Sequence, residues 1–309
     1  MKPIPVYTGS VGLDTVHRED DIGFDRETGV TALSKAVNVK VEKSGKGRFR
    51  ISRVYGYSEL TAGNFHSGWR DTGDAFTGNG TALYRFLRDR TLQGVRSNLT
   101  GNRIAYTQIG DETFYSNGTQ NGIVLDGVSR AWSIQTYVGP ETTEVFSAAP
   151  VAKHLCSRQG RIMLNPAAEP NVIYWSKPKQ PGLFSLAKDH RKFDSPVIMI
   201  LDVKAGYFIS TEKHTYFLRE TGPNQWELEF KDKHPAIEWS EWPQKVDVSA
   251  LGLEGDGVCR LWRGTTGAMA GMPDGSVVNM TEKRVESNCS SGYGASVFIP
   301  PYFIHSVGI

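Results

Sequence analysis

The chain has 309 residues, 39% hydrophobic and 22% charged, the proportions of a globular protein that can bury one large all-β core or two ordinary ones. No apolar run approaches the roughly 20 residues of a membrane helix, and the opening MKPIPVYTGSVG lacks the apolar core of a signal peptide, so a cytosolic product without membrane insertion is expected. With 35 basic against 33 acidic residues, the charge is too balanced to argue for a surface that wraps nucleic acid.

Residues 1–35 read as an extended arm. Pro3 and Pro5 fix extended backbone, and the charged stretch that follows carries isolated apolar residues (Val11, Leu13, Val16, Ile22, Phe24) at no clear period. Those five residues are candidates for docking on a neighbouring subunit. Residues 33–41 (LSKAVNVKV) alternate as a half-buried strand does. The glycine-containing turn at 42–50 carries Lys43, Lys46, Arg48 and Arg50, which suit either a solvated hairpin tip or a non-specific phosphate contact with DNA.

From residue 65 onward one layout recurs: an apolar strand, a turn with glycine, a second strand, a polar turn and a third strand. It is clearest at 197–219 (VIMILDVKAGYFISTEKHTYFLR), with weaker copies at 65–86, 104–125, 154–176 and 258–281. The starts lie about 40–60 residues apart, a spacing that suits β-propeller blades with insertions between them. A β-sandwich or two small β-domains would give similar local patterns. The expected fold is therefore all-β and β-propeller-like over 36–309, with an extended N-terminal arm and inter-blade insertions. The largest expected insertion is 225–253, where a short helical turn fits 243–253. It also holds three tryptophans: Trp226 is expected in the blade core, while Trp239 and Trp242 are candidates for a subunit interface. Residues 295–307 could supply a final strand pair broken at Pro300-Pro301.

Catalytic signatures do not emerge. There is no G-x-S-x-G elbow, H-E-x-x-H, P-loop or G-x-G-x-x-G. The seven histidines are dispersed, and His190 and Asp194 fall in a surface-like stretch. Propeller sialidases carry an S-x-D-x-G-x-x-W turn, but the nearest stretch, PDGS at 273–276, lacks its Ser and Trp, and Asp274 and Glu282 do not make a convincing acid pair. The three cysteines, Cys156, Cys259 and Cys289, are too scattered for a disulfide framework or zinc site and read as buried thiols. Neither an enzymatic activity, a metal nor a cofactor is expected.

Several phrases resemble the short-tail nozzle or tail-hub subunits of tailed phages. They are residues 12–57, NFHSGW at 64–69, TALYRF at 81–86, YVGPETT at 137–143, 172–193 (VIYWSKPKQPGLFSLAKDHRKF), TYFLRETGP at 215–223 and DGSVVNMTEK at 274–283. The resemblance implies a propeller-bearing structural virion protein, made in the host cytoplasm and assembled as a ring, expected to be a hexamer, below the portal and adaptor. Its other partners would be further tail proteins and viral DNA in transit. Many such subunits are considerably longer, which leaves a minor tail or head-completion protein open. The alternative from another class is a monomeric propeller that binds glycans or hydrolyses them.

Overall fold

The computed structural model describes residues 63–70, 73–222, 225–281 and 294–296, and the backbone of strand residues 24–25, 30–31, 39–43, 49–53, 293–299 and 302–308. Five antiparallel meanders follow one another along the chain. Blade 1 comprises Phe65–Arg70, Ala75–Asn79, Ala82–Phe86 and Leu92–Arg96. Blade 2 comprises Ala105–Ile109, Glu112–Ser116, Asn121–Leu125 and Val128–Arg130. Blade 3 runs through Ala152–Arg158, Arg161–Pro166, Val172–Lys177 and Gln180–Phe184, with His190–Lys192 also paired to Val172–Lys177. Blade 4 comprises Val197–Val203, Gly206–Thr211, Thr215–Gly222 and Gln225–Asp232. Blade 5 is built from Val246–Asp247, Val258–Arg263, Ala268–Gly271 and Val277–Asn279. The fold is a five-bladed β-propeller, its inner strands arranged around a shared central cavity.

Tight turns make the meanders. At Gln159-Gly160 both residues have positive φ, 52° and 72°, the geometry whose twist matches two antiparallel strands. Packing then makes the propeller. A blade between two others is buried on both faces, so its central strands cannot alternate with polar residues. Arg161–Pro166 and Gly206–Thr211 are accordingly buried at every position. The outer strand of blade 4 has one free edge and loses this signature: Gln225–Asp232 has no fully buried residue.

Apolar cores fill the spaces between blades. Phe76 and Leu83 of blade 1 pack with Tyr106, Tyr115 and Val124 of blade 2. Phe114 joins Leu155, Ile162 and Phe184 between blades 2 and 3. Met163 and Trp175 meet Ile200, Tyr207 and Leu218 between blades 3 and 4. Phe208 and Phe217 meet Trp262 and Met269 between blades 4 and 5, the Phe208 and Trp262 rings lying 5.4 Å apart. Blade 5 meets blade 1 through a polar contact, in which Gln244 Nε2 donates to the Arg70 carbonyl at 3.5 Å.

The structure corrects the blade boundaries. Each repeat of the sequence has a further strand beyond the three that its apolar runs mark, and Gln225–Asp232, expected within an insertion, is the outer strand of blade 4. The short helical turn is present as a 3-10 helix at Val248–Leu251. Trp226 is half-buried, its ring 5.6 Å from Trp175 and 5.8 Å from Tyr207. The terminal strand pair forms between Tyr293–Ile299 and Tyr302–Gly308. In the arm region, Phe24 pairs with Thr31 across a two-residue ladder. Val11, Leu13, Val16 and Ile22 lie outside the described residues, as do Lys46 and Arg48. Lys43 and Arg50 sit on a hairpin of Val39–Lys43 with Phe49–Arg53, where the turn at 42–50 was expected.

Candidate functional site

The central cavity encloses about 680 Å³, within the size range of small-molecule sites. Two polar clusters occupy its wall. The first joins blades 3, 4 and 5 around Asp202, whose side chain is 1% exposed at the end of the apolar run VIMIL. Arg260 of blade 5 donates to its Oδ1, and Lys245 pairs with Oδ2. Arg260 also donates through Nε to the Asp202 carbonyl at 3.1 Å and through Nη1 to the Pro243 carbonyl at 2.5 Å. From blade 3, the Cys156 thiol donates to Asp202 Oδ1 at 3.4 Å. Burial alone would raise the Asp202 carboxyl, but Arg260 and then Lys245 outweigh it and hold it below the ordinary carboxylate value. Burial pushes the Cys156 thiol up, and the neighbouring carboxylate adds to the effect, so it is not a nucleophile. This cluster is a tether: one buried carboxylate is held by two cations and a thiol.

The second cluster lies beside the C-terminal hairpin and is less well matched. His154, 3% exposed on the inner strand of blade 3, carries its Nε2 3.4 Å from Glu238 Oε1 without making a hydrogen bond. The Trp239 ring lies 4.7 Å from the imidazole, and Trp239 has a φ of 64°, a left-handed conformation uncommon for a bulky residue. Glu241, two residues on, buries its Oε2 without a partner. Burial pushes the Glu241 carboxyl up; Glu238 adds to this, against the opposing pull of His154 and Arg103. Arg103 itself donates to the Gly294 carbonyl at 2.7 Å, and the Gly294 amide donates to the Glu238 carbonyl at 2.8 Å.

Trp239 and Trp242, expected at a subunit interface, are both half-buried inside this subunit. Trp239 lines the cavity, and Trp242 packs on the face of blade 5 formed by Val246, Cys259 and Leu261, its amide bonded to the Leu261 carbonyl. Neither ring builds an exposed patch. Cys156 and Cys259 are free and buried, while Cys289 lies outside the described residues. His190 and Asp194 are exposed. Asp274 closes a surface turn by accepting from the Ser276 amide at 2.9 Å and hydroxyl at 2.7 Å. No group of three or more His, Cys, Asp or Glu side chains able to hold a metal ion occurs among the described residues.

A second surface feature has no counterpart in the sequence reading. Between blades 2 and 3, residues 131–151 run along the outer strand Gln180–Phe184. Trp132 Nε1 donates to the Pro181 carbonyl at 3.2 Å, Gln180 exchanges two hydrogen bonds with the Val138 backbone, and Ser147 bridges to Phe184. Stacking of Tyr137 on Phe146 at 4.8 Å closes residues 138–145 into a loop, pinned by Glu144 on Lys177 at 2.6 Å. This loop exposes Val138 (75%) and Val145 (81%), with Ile134 and Val128 also exposed nearby in the chain.

No protein-family model matches the chain, and no curated protein matches it. Among solved structures it is similar to virginiamycin B lyase from Staphylococcus aureus, at 10% identity over 99% of this chain and 94% of that one, with a TM-score of 0.47. It is also similar to a gluconolactonase from Xanthomonas campestris, at 10% identity over 77% of this chain and 80% of that one, with a TM-score of 0.46. A third is the extracellular domain of a two-component system protein from B. thetaiotaomicron, at 10% identity and TM-score 0.47; 84% of this chain is covered but only 36% of that one, so the chain spans about a third of that protein's length. Likeness at this level does not extend to activity.

Proposed function

We propose that the chain is a structural virion protein, a subunit of a tail nozzle or hub ring of a tailed phage, in which copies of the propeller surround a conduit for the genome below the portal and adaptor. The observation that carries this reading is the pinned loop 138–145. It presents apolar side chains to solvent on a rigid frame, which is how a docking surface differs from a solvated connection. Part of the phrase YVGPETT, one of those on which the nozzle resemblance rests, lies in this loop. The tether around Asp202 adds support, because it ties blades 3, 4 and 5 together through one carboxylate and favours stiffness.

A closed ring of one chain needs two different complementary patches, one on each side of the subunit. The loop 138–145 supplies one of them in this reading, and the N-terminal arm, with Val11, Leu13, Val16, Ile22 and Phe24, supplies the other. DNA would pass between subunits rather than through any one propeller, touched without sequence preference by the Lys43–Arg50 tip. Native mass measurement of the purified protein, with its copy number in virions, tests the reading. A closed ring, six-fold in the simplest case, at fixed low copy number per tail is expected. A stable monomer that binds or cleaves a glycan overturns it in favour of a propeller lectin or hydrolase.

A further inference from the structure

The second cluster of the central cavity contains an unmet requirement that the proposed structural role does not use. Glu238 and Glu241 face one another's field, and the Glu241 oxygen Oε2 is buried without a donor. His154, 3% exposed, lines the same cavity, its Nε2 making no hydrogen bond and lying 3.4 Å from Glu238 Oε1. Buried polar groups in native structures nearly always have partners, so these two orphans on one void of about 680 Å³ point to a ligand there.

We propose that the cavity beside Glu241 binds an organic cation, an alkylammonium group held between the two carboxylates and the aromatic rings. The charge around Glu241 favours this class. The ionisable side chains that act on it among the described residues are His154, Glu238 and Arg103, and the Arg103 guanidinium is already engaged with the Gly294 carbonyl. Arg260 and Lys245, further along the wall, are committed to Asp202. An anion would meet the negative charge of two carboxylates, whereas an ammonium satisfies Glu241 Oε2 and relieves its repulsion from Glu238. Trp239 supplies a ring face for the cation and its alkyl stem, which accounts for a bulky residue being held at a φ of 64°. The cation has two sources, a free small amine or the lysine side chain of a partner protein.

The test uses the full chain, n-butylammonium and Nα-acetyl-lysine amide as probes, and glucose as a neutral hydroxylated control, read by calorimetry and by the shift in Tm. At least one amine is expected to bind and raise Tm, with affinity increasing as pH rises through the titration of Glu241. Glu241→Gln, which mimics the protonated acid in shape, should weaken that binding by roughly tenfold or more, the size of one charge-assisted hydrogen bond. Glu238→Gln should weaken it as well and serves if the first variant does not fold. Stronger binding of the lysine amide than of butylammonium assigns the site to a partner's lysine, and the reverse assigns it to a free amine. The inference is overturned if neither amine binds, if Glu241→Gln binds them as the natural chain does, or if glucose binds and the amines do not. None of these outcomes bears on whether the chain forms rings.

Discussion

Asp202, 1% exposed, is the least exposed of the buried charged residues in the described core. Its carboxylate is almost wholly buried, and three blades converge on it through Cys156, Arg260 and Lys245. Such a group contributes little net stability over an apolar substitute, yet removing one partner leaves the others buried and unmatched. Asp202→Asn is therefore expected to destabilise the fold by about 3–5 kcal/mol at neutral pH, read as a lower urea midpoint. The pH dependence follows from the direction of its shift. The folded carboxyl is held below its ordinary value, so its stabilisation is complete above the unfolded pKa of about 4 and is lost as pH falls below that. The natural chain should lose stability steeply in this acid range, and Asp202→Asn should show a shallower loss. Equal slopes would mean that Asp202 is not ionised in the fold. The nearby sequence reads as a plain apolar strand ending in one acid. That the acid turns inward is legible only once Arg260, distant in sequence, is placed beside it.

At the scale of strands, turn chemistry and apolar runs marked three of the four strands in each blade. Most inner and middle strands were visible because burial on both faces forces continuous apolar stretches such as VIMIL and GYFIS. Outer strands such as LQGVR, VSR and QWELEFKD were invisible as strands because one edge and much of one face meet water, which removes the pattern. Close backbone approach between strands is a further constraint. At Gly206 a Cβ would lie 2.2 Å from the Leu218 carbonyl oxygen and 3.1 Å from the Arg219 Cα, both backbone atoms of the next strand. Neither can move without breaking the ladder between Gly206–Thr211 and Thr215–Gly222. Gly206→Ala should cost about 1–3 kcal/mol through overpacking, measured by chemical denaturation, whereas Gly68→Ala, where a Cβ meets nothing within 4 Å, should be nearly neutral at that level. Comparable effects at the two sites would refute the steric account.

For the whole molecule, the question is which surfaces are spare once the five blades have closed on one another. The loop 138–145 is the strongest such surface among the described residues, since its apolar side chains contribute nothing to the cores on either side. Val138→Asp and Val145→Asp should leave the unfolding free energy of the isolated subunit, measured by urea denaturation, within about 0.5 kcal/mol of the natural value. They should abolish or sharply reduce ring formation in native mass measurements. Unchanged assembly would remove this loop from the interface. The N-terminal arm is tested in the same assay by deleting residues 1–30, which is expected to leave a folded subunit that fails to join tails.

By itself the sequence determined the all-β character, the existence of repeated meanders and the position of most inner and middle strands. These follow from local causes: β-branched and aromatic runs, positive-φ turns at pairs such as Gln159-Gly160, and the absence of helical periodicity. Only the tertiary structure decided that there are five blades, that the segment after Pro223 completes the fourth, and that Trp239 and Trp242 turn into the subunit. It alone brought His154, Glu241 and Arg103 to one cavity, with Glu238 beside His154. The reason is physical. A turn and its two strands are specified by neighbours in sequence, whereas the centre of a propeller is made of single side chains from every blade, each unremarkable in its own strand and given a role only by closure of the ring.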